Sequence, residues 1–488
     1  MRALLVYPDI PDTFWSFKHI LKFIRKRAAH VPLGLLTVAS MMPRKWQLKL
    51  VDMNVEKLCD ELIEWADLVF IGAMVVQKES VQQVLNICKR LGKKTVAGGP
   101  LFTSVPEQYQ DVDHLVLNEA EITFHQFLED LQNGNPQHLY QSEEKPDITK
   151  TPLPRWDLIN MNYYASMSIQ YSRGCPYDCE FCDIVKLNGR RPRVKTSQQM
   201  IQEFDILYNM GWRGRCFIVD DNFIGNKVKV KSVLRDLIPW QKARNYPFSL
   251  FTEASVNLSE DQELMSLMTE AGFDSVFLGL ETPAEECLVE CGKHQNTSKD
   301  LVEAVKTIQR NGMEVMGGFI IGFDNDPPNI FERQVKFIQS SGVVKAMIGL
   351  LNAIPGTKLY QRLQAEGRLI DSCTGDNCDG SLNFIPKMDV ETIRAGYQAV
   401  LDRIYSPREY YQRVLEFLKE YKPIRKKRID RLEIRAFFSS ILYLGILEKG
   451  KIYYWKLLIN ALVFHRAAFG EAVSSALFGY HFRKLLSK

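Results

Sequence analysis

Two successive series of short apolar runs, each run separated from the next by a helix-length amphipathic stretch, fix the fold class of this chain. In the first series Ala3 to Tyr7, Leu48 to Asp52, Leu68 to Ala73, Lys94 to Ala97 and His114 to Leu117 each end in a polar residue, Gly or Pro, and segments such as Val81 to Leu91 lie between them. Right-handed crossovers turn such a series into a parallel, doubly wound, Rossmann-like sheet whose ligand lies beyond the carboxyl ends of the strands. Those ends are Pro8-Asp9, Asp52-Met53-Asn54, Met74 to Gln77 and Gly98-Gly99-Pro100.

The second series comprises Ser168 to Tyr171, Cys216 to Asp220, Phe248 to Glu253, Ser275 to Leu280, Val315 to Ile321 and Lys345 to Asn352. Six strands suggest a partial (β/α)6 barrel with its chemistry at the strand C-termini. A chain of 488 residues is too long for a single core. The expected organisation is a doubly wound α/β domain over 1–135, a polar, proline-bearing linker over 136–160, a barrel over 161–386 and a helical region over 387–488.

The net charge of +4 excludes a nucleic-acid protein as a whole, but Lys422, Arg425, Lys426, Lys427, Arg428, Arg431 and Arg435 crowd one segment. The opening apolar run is too short for a signal peptide, and no run approaches the roughly 20 apolar residues that span a bilayer. A cytoplasmic protein is expected, and its ten cysteines are then thiols or metal ligands rather than disulfides.

Three of those cysteines stand within eight residues, Cys175-Pro-Tyr-Asp-Cys179-Glu-Phe181-Cys182, directly after a strand and the turn Arg173-Gly174. Three thiolates at this spacing can hold a cluster while leaving a fourth iron without a protein ligand. The alternative is a structural zinc site, but such sites usually pair two knuckles, and no partner knuckle is evident. Cys287 and Cys291, and Cys373 and Cys378, are either buried thiols or ligands of a second cluster. The C-x3-C-x2-C motif, with an aromatic residue before its last cysteine, resembles the radical S-adenosylmethionine superfamily.

The resemblance implies a [4Fe-4S] cluster on Cys175, Cys179 and Cys182, which binds S-adenosylmethionine at its open iron and cleaves it to a 5'-deoxyadenosyl radical. It also implies a nucleoside site formed by Phe181, Asp220, Asp221, Glu253, Glu281, Gly318, Ile320 and Gly322, with carboxylates toward the ammonium and ribose and the glycine-rich strand toward adenine. Tyr171, Tyr177 and His294 are candidate guides for the radical.

The doubly wound domain ahead of such a barrel, with Pro32-Leu33-Gly34-Leu35-Leu36, Val51-Asp52-Met53-Asn54, Ala97-Gly98-Gly99-Pro100 and Asn118-Glu119-Ala120-Glu121, resembles the cobalamin-dependent branch of the superfamily. That implies a cobalamin near Asp52, Asn54, Met74, Gln77, Gly98, Gly99, Pro100 and Glu119. Asn54 stands where many cobalamin proteins carry the histidine that ligates cobalt. Gly98-Gly99 suits either close backbone approach to the nucleotide tail or an ordinary tight turn.

The region from Asn383 resembles the helical part of a subset that includes hopanoid methylases. The expected activity is methylation of an unactivated carbon of a small, lipid-like or other hydrophobic molecule, with flavodoxin or ferredoxin as reductant. The alternatives are a radical cyclisation, coupling or rearrangement without methyl transfer, and a non-catalytic corrinoid or cluster-binding protein. The segment 422–447 fits either a solvated helical edge or peripheral contact with an anionic membrane surface.

Overall fold

A computed structural model of the chain describes residues 1–425 and 431–486. Lys426, Lys427 and Arg428 of the basic segment lie outside the described residues, as does the side chain of Arg431.

The N-terminal sheet contains β1 (Arg2–Tyr7), β2 (Gln47–Asp52), β3 (Leu68–Gly72), β4 (Lys94–Gly98), β5 (His114–Val116) and β6 (Leu139–Tyr140), all parallel, in the order β2-β1-β3-β4-β5-β6. Residues alternate across each strand, so both faces must be apolar for helices to cover both. Ala3, Leu5, Leu68 and Phe70 pack toward the helices Leu33–Met41 and Ala120–Gln132, while Leu4, Val6, Val69 and Ile71 pack toward Asp60–Trp65 and Lys78–Arg90. The order reverses between β1 and β3, which places the ligand edge at Pro8-Asp9 and Ala73-Met74. Strand β6 falls within the expected linker, being too short at two residues to leave a periodicity; Leu117 N–H donates to Tyr140 O at 2.8 Å to extend the sheet.

The second sheet contains β7 (Ser166–Ile169), β10 (Gly214–Ile218), β11 (Phe248–Ala254), β12 (Phe273–Glu281), β13 (Glu314–Ile321) and β14 (Ala346–Leu350), joined in that order and parallel throughout. It is an open six-strand barrel. The antiparallel pair β8 (Ser172–Arg173) and β9 (Arg193–Val194) brackets the cysteine loop.

The gap between β7 and β14 is closed by two segments whose role the sequence did not reveal. Residues 12–30, between β1 and β2, leave the first domain and run onto the barrel, where Ala28 bridges Tyr164 just ahead of β7. The C-terminal helix Phe469–Leu485 lies against them, with Phe478 5.4 Å from Phe17 and under the ammonium of Lys345 at 4.0 Å. Helices Val390–Tyr405, Pro407–Glu420, Arg431–Ser440 and Lys451–Phe464, with a π-helical turn Ile441–Leu447, complete the chain.

Candidate active site

Asp220 holds the start of the cysteine loop. It lies just past β10, fully buried, and accepts from the N–H groups of Tyr171 (2.8 Å) and Ser172 (2.9 Å) and from the Ser172 hydroxyl (2.7 Å). Burial pushes its carboxyl up to about 7 in spite of those bonds. Both oxygens are thus occupied by backbone and hydroxyl donors of the loop start. Asp221 accepts from Gly174 N–H (3.0 Å) and the Asn188 amide (2.9 Å). Gly174 has φ 95°, and a Cβ there would come 2.7 Å from Gly189 O, so only glycine makes this turn.

Past the turn the loop folds back on itself. Cys175 N–H donates to Gly189 O (3.2 Å), and Cys182 N–H to Cys179 O (3.1 Å). Burial raises the Cys175 and Cys182 thiols, and the nearby Cys179 adds to the rise at each. Among the described residues no group of three or more His, Cys, Asp or Glu side chains is gathered to hold a metal ion, the three cysteines of the loop included. Cys175 Sγ takes a bond from the Asn222 amide (3.8 Å), and Cys179 Sγ one from the Gln295 amide (3.7 Å). Asn222 appears in the sequence only as the last member of Asp220-Asp221-Asn222; no signal singled out Gln295.

Lys293 is the cation of the site. Its ammonium lies 2.5 Å from Glu281, feels the charge of Cys179 and Cys182, and sits 5.8 Å from the Phe181 ring centroid. Glu281, at φ 61° and at an irregularity in the β12–β13 register, is bound to this lysine instead of being open to a ligand. Gly279 makes room for the pair, since a Cβ there would meet Glu281 Oε1 at 2.4 Å and Lys293 Nζ at 2.6 Å.

Glu253 contrasts with both. It shares one face of β11 with Ser249 and Phe251, and its register neighbour on β12 is Phe277. No hydrogen bond or ion pair reaches its carboxylate from the described residues, and burial, then Asp221 and Asp220, push that carboxyl up to about 8. The same face carries Phe217 and Phe251, stacked at 4.5 Å, and Gly318, whose Cβ would strike the Phe277 ring at 2.9 Å. Trp15 and His30, from the 12–30 segment, lie 5.0 Å from Phe277 and 5.2 Å from Phe217. Ile320 and Phe181 pack beside Cys287 and Cys291 in a small apolar cluster, and Gly322, at φ 110°, turns the chain so that its N–H meets Asp326 at 2.7 Å.

The remaining cysteines are free thiols with local contacts. Cys287 Sγ donates to Asp326 (3.3 Å), Cys291 Sγ to Leu288 O (3.6 Å), and Cys378 Sγ accepts from Phe14 N–H (3.2 Å). Tyr177 OH accepts from Asn257 (2.8 Å), Tyr171 is fully buried, and His294 is exposed.

At the ligand edge of the first sheet most of the expected polar residues hold the strand ends together. Asp52 accepts from Asn54 N–H (2.9 Å), the Asn54 amide (2.7 Å) and Tyr164 OH (3.0 Å). Asn54 also accepts from Ile10 N–H (2.9 Å), and Gln77 spans Met74 N–H (2.8 Å) and Pro8 O (2.5 Å). Glu119 is taken by Arg173 (2.8 Å) and Arg193 (2.7 Å) of the cysteine-loop hairpin. These four side chains have their polar atoms engaged within the protein. Met74, 39% exposed, and the Gly98-Gly99 strand end before Pro100 remain open at that edge; a Cβ on Gly98 would meet Val116 O at 2.6 Å, and Gly99 has φ 101°.

Fold and site together place a three-thiol loop at the mouth of an open barrel, latched to the ligand edge of a parallel sheet. Three stretches match known families: residues 26–128 a B12 binding domain, residues 169–338 the radical SAM superfamily, and residues 357–488 a domain of unknown function. Over 489 residues the chain is 41% identical to an uncharacterised methyltransferase of Synechocystis sp., covering 99% of this chain and 91% of that one. It is 34% identical over 479 residues to the hopanoid C-2 methylase of Rhodopseudomonas palustris, covering 95% and 89%. The fold is that of the radical S-adenosylmethionine methyltransferase TsrM of Kitasatospora setae, solved with cobalamin and a [4Fe-4S] cluster, with a TM-score of 0.63 at 14% identity and full coverage of both chains. The chain belongs to the cobalamin-dependent radical S-adenosylmethionine methyltransferases. Its cofactors are a [4Fe-4S] cluster, S-adenosylmethionine and cobalamin.

Proposed function

We propose that this enzyme methylates an unactivated carbon of an apolar, lipid-like molecule held in the barrel against Phe217, Phe251, Phe277 and Trp15. The observation that carries the reading is Glu253: an unpartnered carboxyl on the same barrel face as these rings, close enough to the cysteine-loop carboxylates to feel their charge. An unsatisfied carboxyl in such a place suits a cationic, hydroxyl-bearing nucleoside, and a wall of rings suits an apolar acceptor. The 34% identical hopanoid C-2 methylase supports a polycyclic apolar acceptor.

When bound, the cluster supplies the electron that cleaves S-adenosylmethionine, and the corrinoid supplies the methyl carrier. Cys175, Cys179 and Cys182 are the residues to hold the cluster, Glu253 and Asp221 to orient the nucleoside, and Met74 with Gly98-Gly99 to border the corrinoid. Lys293 offsets the negative charge of two thiolates. The aromatic wall keeps water from the radical and positions the carbon that loses hydrogen.

The test is anaerobic loading with iron, sulfide and cobalamin, followed by reduction with flavodoxin and methyl-labelled S-adenosylmethionine in the presence of an apolar lipid extract. Label recovered in lipid is the expected result. Formation of 5'-deoxyadenosine with no labelled product would assign a cyclisation, coupling or rearrangement instead, and no 5'-deoxyadenosine at all would mean a non-catalytic protein.

A further inference from the structure

No helix among the described residues is long and apolar enough to cross a membrane. Yet the described surface has one region with the composition of an interior. Of the twenty-four large apolar side chains that stand exposed, fourteen lie between Leu432 and Phe464. Phe438 is 65% exposed, Leu447 67%, Ile452 63% and Phe464 73%. A water-soluble monomer rarely leaves so many large apolar groups contiguous and wet.

The region is a braced hairpin rather than a loose tail. The Lys451–Phe464 helix buries Tyr454, Leu457, Leu458 and Ala461 on one side and turns Ile452, Trp455, Ile459 and Leu462 outward, so it is apolar all round. The Trp455 indole donates to Gly445 O (3.0 Å), the Tyr454 and Ser440 hydroxyls meet at 2.8 Å, and Glu448 at the tip is paired with Arg483 (2.9 Å).

Charge selects the occupant. From Leu432 to Phe464 the sequence holds Arg435, Lys449, Lys451 and Lys456, with Arg466 just beyond, and of its two acids Glu448 is paired with Arg483 and Glu433 is also engaged within the protein. Lys449, Lys451, Lys456 and Arg466 are exposed, interleaved with the apolar groups and with Tyr443, Tyr453 and Trp455, whose rings carry a polar tip. Apolar side chains with cations and ring hydroxyls or indoles around them, and no free acid, match an anionic lipid surface. A second copy of this chain, presenting the same face, would leave those cations facing one another or facing apolar groups. The face also continues inward through rings, from Tyr443 to Phe23 (5.2 Å) and Tyr480 (6.3 Å) on the helix that bears Phe478.

We propose that the hairpin 432–464 docks flat on anionic bilayers, with Phe438, Leu447, Ile452 and Phe464 among the acyl chains and the lysines at the headgroups. The proposal concerns the surface alone and stands whichever substrate the barrel takes.

The test uses the full, cluster-loaded protein with phosphatidylcholine vesicles and with vesicles containing roughly one-third phosphatidylglycerol. Expected is co-sedimentation with the second kind, about tenfold weaker on the first and weakened by salt, together with quenching of tryptophan fluorescence by brominated lipid that W455F reduces. The variant F438S/L447S/F464S should lose at least about tenfold in vesicle affinity while its substrate-free 5'-deoxyadenosine formation stays unchanged. Absence of binding to either vesicle would overturn the proposal. So would a wild-type dimer in sedimentation velocity that the triple variant abolishes, since a second copy would then cover the face.

Discussion

The guanidinium of Arg173, two residues ahead of Cys175, lies 2.8 Å from Glu119, which stands just past β5 of the N-terminal sheet. Arg173 also meets Glu121 at 2.8 Å, and Arg193 reaches Glu119 at 2.7 Å, all four side chains being largely buried. The cysteine loop is thereby fixed against the neighbouring domain through charge. Removing one member leaves a buried guanidinium unpaired, so Glu119→Gln should destabilise the protein by about 2–4 kcal/mol in urea unfolding. The Glu119→Gln/Arg173→Met double variant should lose less than the sum of the singles. Additive losses would show that the two residues act independently.

Asp220→Asn keeps the shape but puts an amide N–H where an oxygen now accepts from Tyr171 or Ser172. One buried donor is then unmatched, and a loss of about 1–3 kcal/mol is expected. Iron content after reconstitution should fall with it, because the loop start is no longer held. Unchanged iron content in a destabilised variant would separate Asp220 from the loop's geometry.

Glu253 gives a pH dependence whose sign follows from its raised carboxyl. Its proton is held more tightly folded, at about 8, than unfolded, near 4.5. The stability it contributes is therefore full below the unfolded value and lost as pH rises through about 8. The cofactor-free protein should lose about 1–2 kcal/mol between pH 6 and pH 9, while Glu253→Gln, which has no proton to lose, holds its melting temperature over the same range. The same variant should bind S-adenosylmethionine about tenfold more weakly by isothermal titration. Parallel melting curves for the two proteins would remove Glu253 from this account.

With the cluster on Cys175, Cys179 and Cys182 as proposed, the positive charge of Lys293 beside Cys179 and Cys182 would make its reduction easier. Lys293→Met should lower the cluster's midpoint potential by an amount on the order of tens of millivolts, and Lys293→Arg should restore most of it. Redox titration followed by electron paramagnetic resonance reads this directly. A potential unmoved by the methionine variant would leave Lys293 as a partner of Glu281 alone.

The sequence by itself determined the two parallel α/β sheets and the three-cysteine loop. Strand periodicity is local, since each residue's face follows from its place in its own strand. The C-x3-C-x2-C spacing is local too, because all three ligands come from one eight-residue stretch. Tertiary structure decided the rest. Glu253, Glu281 and Asp220 look alike at their strand ends, yet Lys293 neutralises Glu281, the backbone of Tyr171 and Ser172 occupies Asp220, and the carboxylate of Glu253 has no partner among the described residues. The guanidinium partners of Glu119 come from 54 and 74 residues away and leave no trace in the sequence around it. The same holds for residues 12–30 and the helix Phe469–Leu485, which meet across the barrel's open side from opposite ends of the chain. A carboxylate's role is set by which charges and donors reach it in space, and those arrive from distant segments that no local pattern records.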